Sequence, residues 1–236
     1  MWLASNLCRR TGARRKIPYF SYYREDYKGF KYINEIVMGS LDNRLRKKWQ
    51  DYGGKLATVA EHSFYEVFDA LFEGTSLMLI RKPGKFSKIY VNQKLDADEM
   101  NEIYIPAQKI SRHGIQPDCI IRNNDTGKEI YVEIKRQDGW VEGKKRSAGR
   151  GNAHERFCKY FTPGLLKLMR KEGNIDEPNL PFWIVFQGDI TRDICHVREI
   201  RFWFDGNREN VTFWRNTHDP KPLIDHFISK ILPLLE

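Results

Sequence analysis

Between Glu61 and Phe72 the apolar residues fall at Phe64, Val67, Phe68, Leu71 and Phe72. Steps of three and four put them on one face, which predicts a helix stopped by Gly74. Met78-Leu79-Ile80 reads as a short strand ending at Pro83-Gly84, and Pro117 to Ile121 as another. Asn123-Asn124-Asp125-Thr126-Gly127 then has the composition of a hairpin turn. From Glu129 to Lys135 the pattern alternates: Ile130, Val132 and Ile134 face one way, Tyr131, Glu133 and Lys135 the other.

A loop rich in glycine and basic residues runs from Gln137 to Gly151, and Asn152 is expected to open a helix reaching about Phe161. Thr162-Pro163 suits the N-cap and first position of a further helix, closing at Gly173. Phe182-Trp183-Ile184-Val185-Phe186 is continuously apolar, the pattern of a strand buried on both faces. Asn210 to Arg215 suggests a later strand, and Leu223, Ile224, Phe227, Ile228, Ile231 and Leu232 mark a final amphipathic helix. Trp183 and Trp203 read as core. The order predicts an α/β fold, with a central mixed β-sheet flanked by helices.

Composition adds a partner class. The 236 residues suffice for one substantial domain, and the formal charge of +9 points to a polyanion, although a basic protein without such a partner has the same balance. Cys8, Cys119, Cys158 and Cys195 are widely spaced, with no C-x-x-C pair, so neither a zinc site nor a disulfide framework is indicated. A reducing, cytoplasmic setting fits that usage. No apolar run is long enough for a membrane span, and the basic N-terminus lacks the apolar stretch of a secretory signal. Residues 1–37 carry a basic run through Arg9-Arg10 and Arg14-Arg15-Lys16 without periodicity. They read as a disordered basic extension or a mis-assigned start before Met38, in preference to a DNA-clamping arm.

The candidate chemistry sits on the predicted hairpin. Glu133 and Lys135 share a face of one arm, and the turn brings Asp118 on the other arm towards them. Two hard carboxylates suit Mg²⁺, which keeps several waters and takes one or two protein oxygens. Such an ion lowers the pKa of bound water and stabilises charge at phosphorus, and a lysine beside it can orient or deprotonate the water. Acid-x-Lys is also common on exposed strands, so this pattern alone leaves a solvated strand face open. The segment Arg146 to Arg156 likewise has two readings that do not compete. Its glycines make a turn with Asn152 and Glu155 as a capping box, and a helix N-terminus carrying Asn and Arg suits adenine and guanine edges. His154 reads as a helix-surface residue. Glu61 or Glu66 on the first helix could reach a metal through water, against the simpler reading of a solvated face. Asp189, Arg192 and Asp193 could line the DNA-facing edge or form a loop network.

Pro117-Asp118 with Glu133-Ile134-Lys135 resembles the PD-(D/E)XK nuclease signature. The longer run from Glu133 to Gly143, with Ser147 to Arg156, is similar to the EcoRI-like branch, in particular to MunI/MfeI-type Type II restriction endonucleases. The resemblance extends from about residue 49 to the C-terminus. It takes in Phe72-Glu73-Gly74-Thr75, Phe161 to Lys167 and Gly188 to Asp193. It implies a restriction-endonuclease domain over 38–236, and a Mg²⁺-dependent homodimer cutting both strands of CAATTG to leave 5′ AATT ends. Asp118 and Glu133 would be metal ligands, Lys135 the catalytic cation, and Gly151, Asn152, Ala153, Glu155 and Arg156 the readers of the central AATT. Arg150 would read the outer C·G pair. A restriction–modification setting further implies a bacterial cytoplasm and a cognate DNA methyltransferase as functional partner. Two alternatives stay open: a repair or junction-resolving nuclease of the same superfamily, and a catalytically silent DNA-binding protein. The retained carboxylates weigh against the second, because binding DNA alone would favour their loss.

Overall fold

Alternation along Glu129 to Lys135 and the continuous apolar run Phe182 to Phe186 put a sheet at the centre, and helices cover both its faces. The computed structural model describes residues 43–105, 108–138 and 155–236, with side chains in the first helix from residue 57 onwards, all inside the unit Leu41–Glu236. The N-terminal extension and the segment holding Arg150, Gly151, Asn152, Ala153 and His154 lie outside the described residues.

In chain order the first helix, α1, is Asn43–Phe72, followed by strand β1, Leu77–Arg81. Helix α1 starts well before the predicted Glu61 and carries Gly53-Gly54 in its interior, at a cost of about 1 kcal/mol each relative to alanine. It stops where expected: Gly74 has φ +73°, the left-handed conformation that closes a helix. Ala97–Glu102, α2, was not foreseen; Asp96 caps it, accepting from the Glu99 N–H while Glu99 accepts from the Asp96 N–H. Strands β2, Cys119–Asn123, and β3, Glu129–Arg136, follow. Their turn closes with Gly127 at φ +72°, its N–H donating to the Asn123 carbonyl at 2.8 Å.

The expected helix to Phe161 is a 3₁₀ helix, Glu155–Phe161. Helix α3, Pro163–Gly173, begins at the Thr162 N-cap, though the Thr162 hydroxyl donates to the Lys159 carbonyl instead of capping. It closes through Asn174 at φ 53°, so asparagine takes the left-handed position one residue after Gly173. Strand β4, Phe182–Gln187, is buried throughout, as its apolar run predicts. A 3₁₀ turn, Asp189–Arg192, leads into α4, Ile194–Trp203, and strand β5 is Val211–Phe213. The predicted C-terminal helix is broken in character: α5, Lys221–His226, passes through a π turn, Phe227–Ile231, into α6, Leu232–Leu235.

The sheet order is β1-β2-β3-β4-β5. The first three strands are antiparallel neighbours, and β3, β4 and β5 run parallel, so the sheet is mixed as expected. One face carries Cys119, Ile121, Ile130, Val132, Ile134, Trp183 and Val185 against Phe64, Phe68 and Phe72 of α1 and Phe227. Each fully buried phenylalanine contributes about 1.5–3 kcal/mol of transfer free energy. The other face carries Ile120, Tyr131, Phe182, Ile184 and Phe186 against Phe157, Tyr160, Leu165 and Phe204. Trp183 is fully buried, whereas Trp203 is partly buried at the edge of this second cluster. Among the described residues no helix is long and apolar enough to cross a membrane.

Candidate active site

The register of the hairpin places the carboxylates. Cys119 pairs with Val132, and Asp118, the residue before it, comes against the same stretch of β3 beside Glu133. Asp118 is itself locked into the sheet edge. Its N–H donates to the Val132 carbonyl at 3.0 Å, and its carbonyl accepts from the Lys82 N–H at 2.9 Å and the Tyr65 hydroxyl at 3.0 Å. Its Oδ2 accepts from the Ile134 N–H at 2.8 Å, which fixes the side chain over β3. Asp118 and Glu133 are both buried.

Glu133 has both oxygens engaged. Oε1 accepts from Lys135 Nζ in a short ion pair, and Oε2 accepts from the Tyr160 hydroxyl at 2.8 Å. The structure therefore brings together all three residues of the sequence motif, and the alternation predicted for β3 holds: Tyr131 and Glu133 lie on the face opposite Ile130, Val132 and Ile134.

Three further groups complete the site, and two carry weight the sequence did not reveal. Lys82 follows the last residue of β1 at φ 43°, and its Nζ lies 2.9 Å from Asp118 Oδ1 and 2.7 Å from Glu61 Oε2. Burial pulls the Lys82 pKa down, but hydrogen bonds to Glu61 and Asp118 outweigh it and leave the ammonium above its usual range. Glu61 thus reaches this corner, while Glu66 is exposed on α1. Tyr160 is buried, and burial first, then the Glu133 charge, hold its hydroxyl protonated far above the ordinary phenol range. It can only donate. The cue for Tyr160 was its spacing of three from Phe157, which marks the buried face of a 3₁₀ helix.

The remaining predicted positions divide. Glu155 and Arg156 are exposed at the start of the 3₁₀ helix, available to an external partner. Asp193 belongs to the frame: fully buried, it caps α4 by accepting from the Cys195 N–H at 3.0 Å and the His196 N–H at 3.3 Å. Gly188, at φ +82°, lets the chain pass Asp138; a Cβ there would fall 2.4 Å from Asp138 Oδ1 and 2.7 Å from the Gln137 carbonyl.

The carboxylates of Asp118 and Glu133 are hard oxygen donors of the kind a divalent cation takes, and Glu61 meets Asp118 through the Lys82 ammonium. Among the described residues, no three His, Cys, Asp or Glu side chains group closely enough to hold a metal by themselves.

Comparison with known proteins supplies the family. The family model described as Type II restriction enzyme MunI matches residues 38–236. A Type II restriction enzyme MunI from Mycoplasma sp is 48% identical over 202 residues, covering 84% of this chain and 100% of that relative. The crystal structure of MunI restriction endonuclease in complex with cognate DNA superposes with a TM-score of 0.68 at 48% identity, over 80% of this chain and 97% of that one.

Proposed function

The chain belongs to the family of Type II restriction enzyme MunI, and on that premise we propose that it cuts both strands of CAATTG in a Mg²⁺-dependent reaction, leaving 5′ AATT ends. The observation that carries the reading is the register of β2 on β3. It brings the Asp118 carboxylate onto the Ile134 N–H beside Glu133, with Lys135 two residues beyond Glu133 on the same strand.

Asp118 and Glu133 are the residues that would hold the ion. Bound there, Mg²⁺ would supply electrostatic stabilisation of the pentacoordinate phosphorus and a lowered pKa for water. The Ile134 N–H and the Tyr160 hydroxyl orient the two carboxylates before substrate arrives. The Lys135 ammonium orients the attacking water and offsets charge on the phosphoryl oxygens. Attack in line with the leaving 3′ oxygen breaks the P–O3′ bond and yields a 5′-phosphate and a 3′-hydroxyl.

Recognition falls to Arg150, Gly151, Asn152, Ala153, Glu155 and Arg156. The exposure of Glu155 and Arg156 supports this role, as does their place on a helix whose other end touches Glu133. The guanidinium of Arg150 matches O6 and N7 of the outer guanine. A homodimer supplies two such sites related by the two-fold axis of the palindrome. Residues 38–236 form the endonuclease domain and 1–37 an extension to it. A bacterial cytoplasm, with a DNA methyltransferase protecting host sites, completes the setting.

The test is incubation with Mg²⁺ and plasmids that carry or lack CAATTG. Discrete fragments from CAATTG plasmids alone are expected. Nicking of both plasmids would instead indicate a less selective nuclease of the same superfamily, and binding without cleavage a silent DNA-binding protein.

A further inference from the structure

Tyr160 joins two parts of the molecule that the proposed reaction uses at different moments. In the 3₁₀ helix Glu155–Phe161, residues three apart eclipse, so Phe157 and Tyr160 share one face. Both are buried, while Glu155 and Arg156 are exposed. The buried face is held by rings. Phe157 lies 5.7 Å from Phe186 and 5.6 Å from Phe204, and Tyr160 lies 5.5 Å from Phe182. Phe161 closes the end, 5.2 Å from Phe182 and 5.1 Å from Phe204. Three aromatic anchors thus hold this short helix against Phe182, Phe186 and Phe204. Its Tyr160 hydroxyl donates to Glu133 Oε2 at 2.8 Å in a buried setting, where separating the partners strands both polar groups.

We propose that Tyr160 is a positioning residue that couples base readout to cleavage. The seating of Glu155 and Arg156 on DNA sets the position of the helix, and the Tyr160 hydroxyl passes that position to the Glu133 carboxylate. A wrong base leaves the helix displaced and Glu133 turned from its working orientation. The inference rests on the reading of Glu155 and Arg156 as recognition residues; the link from Tyr160 to Glu133 stands on the geometry alone.

Tyr160→Phe removes the hydroxyl and keeps the ring. Single-turnover cleavage of a CAATTG duplex should fall about tenfold, while its Kd, measured with Ca²⁺ in place of Mg²⁺, stays within about twofold. The cleavage-rate ratio between CAATTG and a site with one base changed should narrow, because the loss falls on the correctly seated complex. A purely structural role would lower thermal stability and slow both substrates equally. In a double-mutant cycle, the effects of Tyr160→Phe and Arg156→Ala on the cleavage rate should be non-additive. Mn²⁺ binding to the DNA-free protein should weaken several-fold in Tyr160→Phe, a readout that needs neither cleavage nor the recognition reading. If that affinity is unchanged and the cleavage ratio is preserved, the coupling is overturned. If wild type shows no preference for CAATTG while Mn²⁺ binding still depends on Tyr160, the recognition reading fails and the hold on Glu133 stands. Additive effects in the cycle would refute transmission from Arg156.

Discussion

The Lys82 ammonium lies 2.9 Å from the Asp118 carboxylate, while Glu133 pairs with Lys135. With Glu61 2.7 Å away on the same ammonium, the chain provides a cation of its own between two acids. Removing it in Lys82→Met leaves those acids uncompensated. Metal-free stability should then fall by no more than about 1 kcal/mol, since the Lys82 side chain is half exposed and solvent screens much of the attraction. Adding Mg²⁺ should raise Tm more in the variant than in wild type, as followed by thermal unfolding with and without the ion. An identical Mg²⁺ response would show that the ammonium and the metal do not compete.

Asp118→Asn, Glu133→Gln and Lys135→Met should each reduce cleavage of a CAATTG plasmid by more than about a thousandfold, with far-UV circular dichroism unchanged. Glu133→Ala should lose activity equally and also cost about 1–3 kcal/mol of stability, because the buried Tyr160 hydroxyl loses its acceptor. Near-normal turnover in any of the first three variants would remove that residue from the site.

Arg150→Ala should weaken cognate DNA binding by about 1–3 kcal/mol and relax discrimination at the outer base pair while AATT stays required. Competition binding against duplexes differing only in that pair measures both. Unchanged discrimination would move the outer contact to another residue.

Gly188→Ala should destabilise the protein by about 2 kcal/mol or more, since it combines φ +82° with a Cβ 2.4 Å from Asp138 Oδ1. Chemical denaturation gives the loss directly. A neutral substitution would mean that Asp138 and the Gln137 carbonyl yield without cost.

His226 gives a pH dependence with a defined sign. Its ring stacks on Trp183 at 5.8 Å, and its Nε2 lies 2.6 Å from the Glu209 carbonyl. Burial lowers its pKa below the ordinary 6.5, partly opposed by the bond to Glu209. The unfolded chain therefore binds the proton more readily than the native state. The stability due to the neutral ring is fully present above about pH 6.5 and is lost as pH falls through the lower native pKa. Thermal unfolding between pH 7.5 and 5 should show a smaller decline in His226→Gln than in wild type. Parallel declines would exclude His226 as a source of the acid sensitivity.

How far the sequence disclosed this arrangement depends on the range over which each residue acts. Asp118, Glu133 and Lys135 were legible because a hairpin is local: the turn at Asn123 to Gly127 and the alternation of β3 determine which residues meet. The buried β4 was legible from its unbroken apolar run. Lys82 was not, because its partner follows from the pairing of Arg81 with Cys119 across a long insertion, and no local periodicity encodes that register. Tyr160 looked like one more core aromatic, and its partner on β3 comes from packing of the second face. The early start of α1 was hidden by Gly53-Gly54, whose weak helix propensity the rest of that helix overrides. The turn at Phe227–Ile231 shows no deviation from helical spacing in its apolar residues, so a π turn could not be foretold.

The passage between Asp138 and Glu155 is moored at both ends. At the first, the Gln137 N–H donates to the Gln187 carbonyl at 3.3 Å and the Gln137 carbonyl accepts from the Ile190 N–H at 3.1 Å. At the second, Phe157 and Tyr160 are sunk in the core. For any connection between two fixed ends, added length costs little, about 0.6 kcal/mol for each doubling. Insertions and replacements in that passage can accordingly accumulate without loosening the pairing of β3 with its neighbours. Changes that shift Glu155 or Arg156 are a different matter, because the same short helix carries the Tyr160 hydroxyl that holds Glu133.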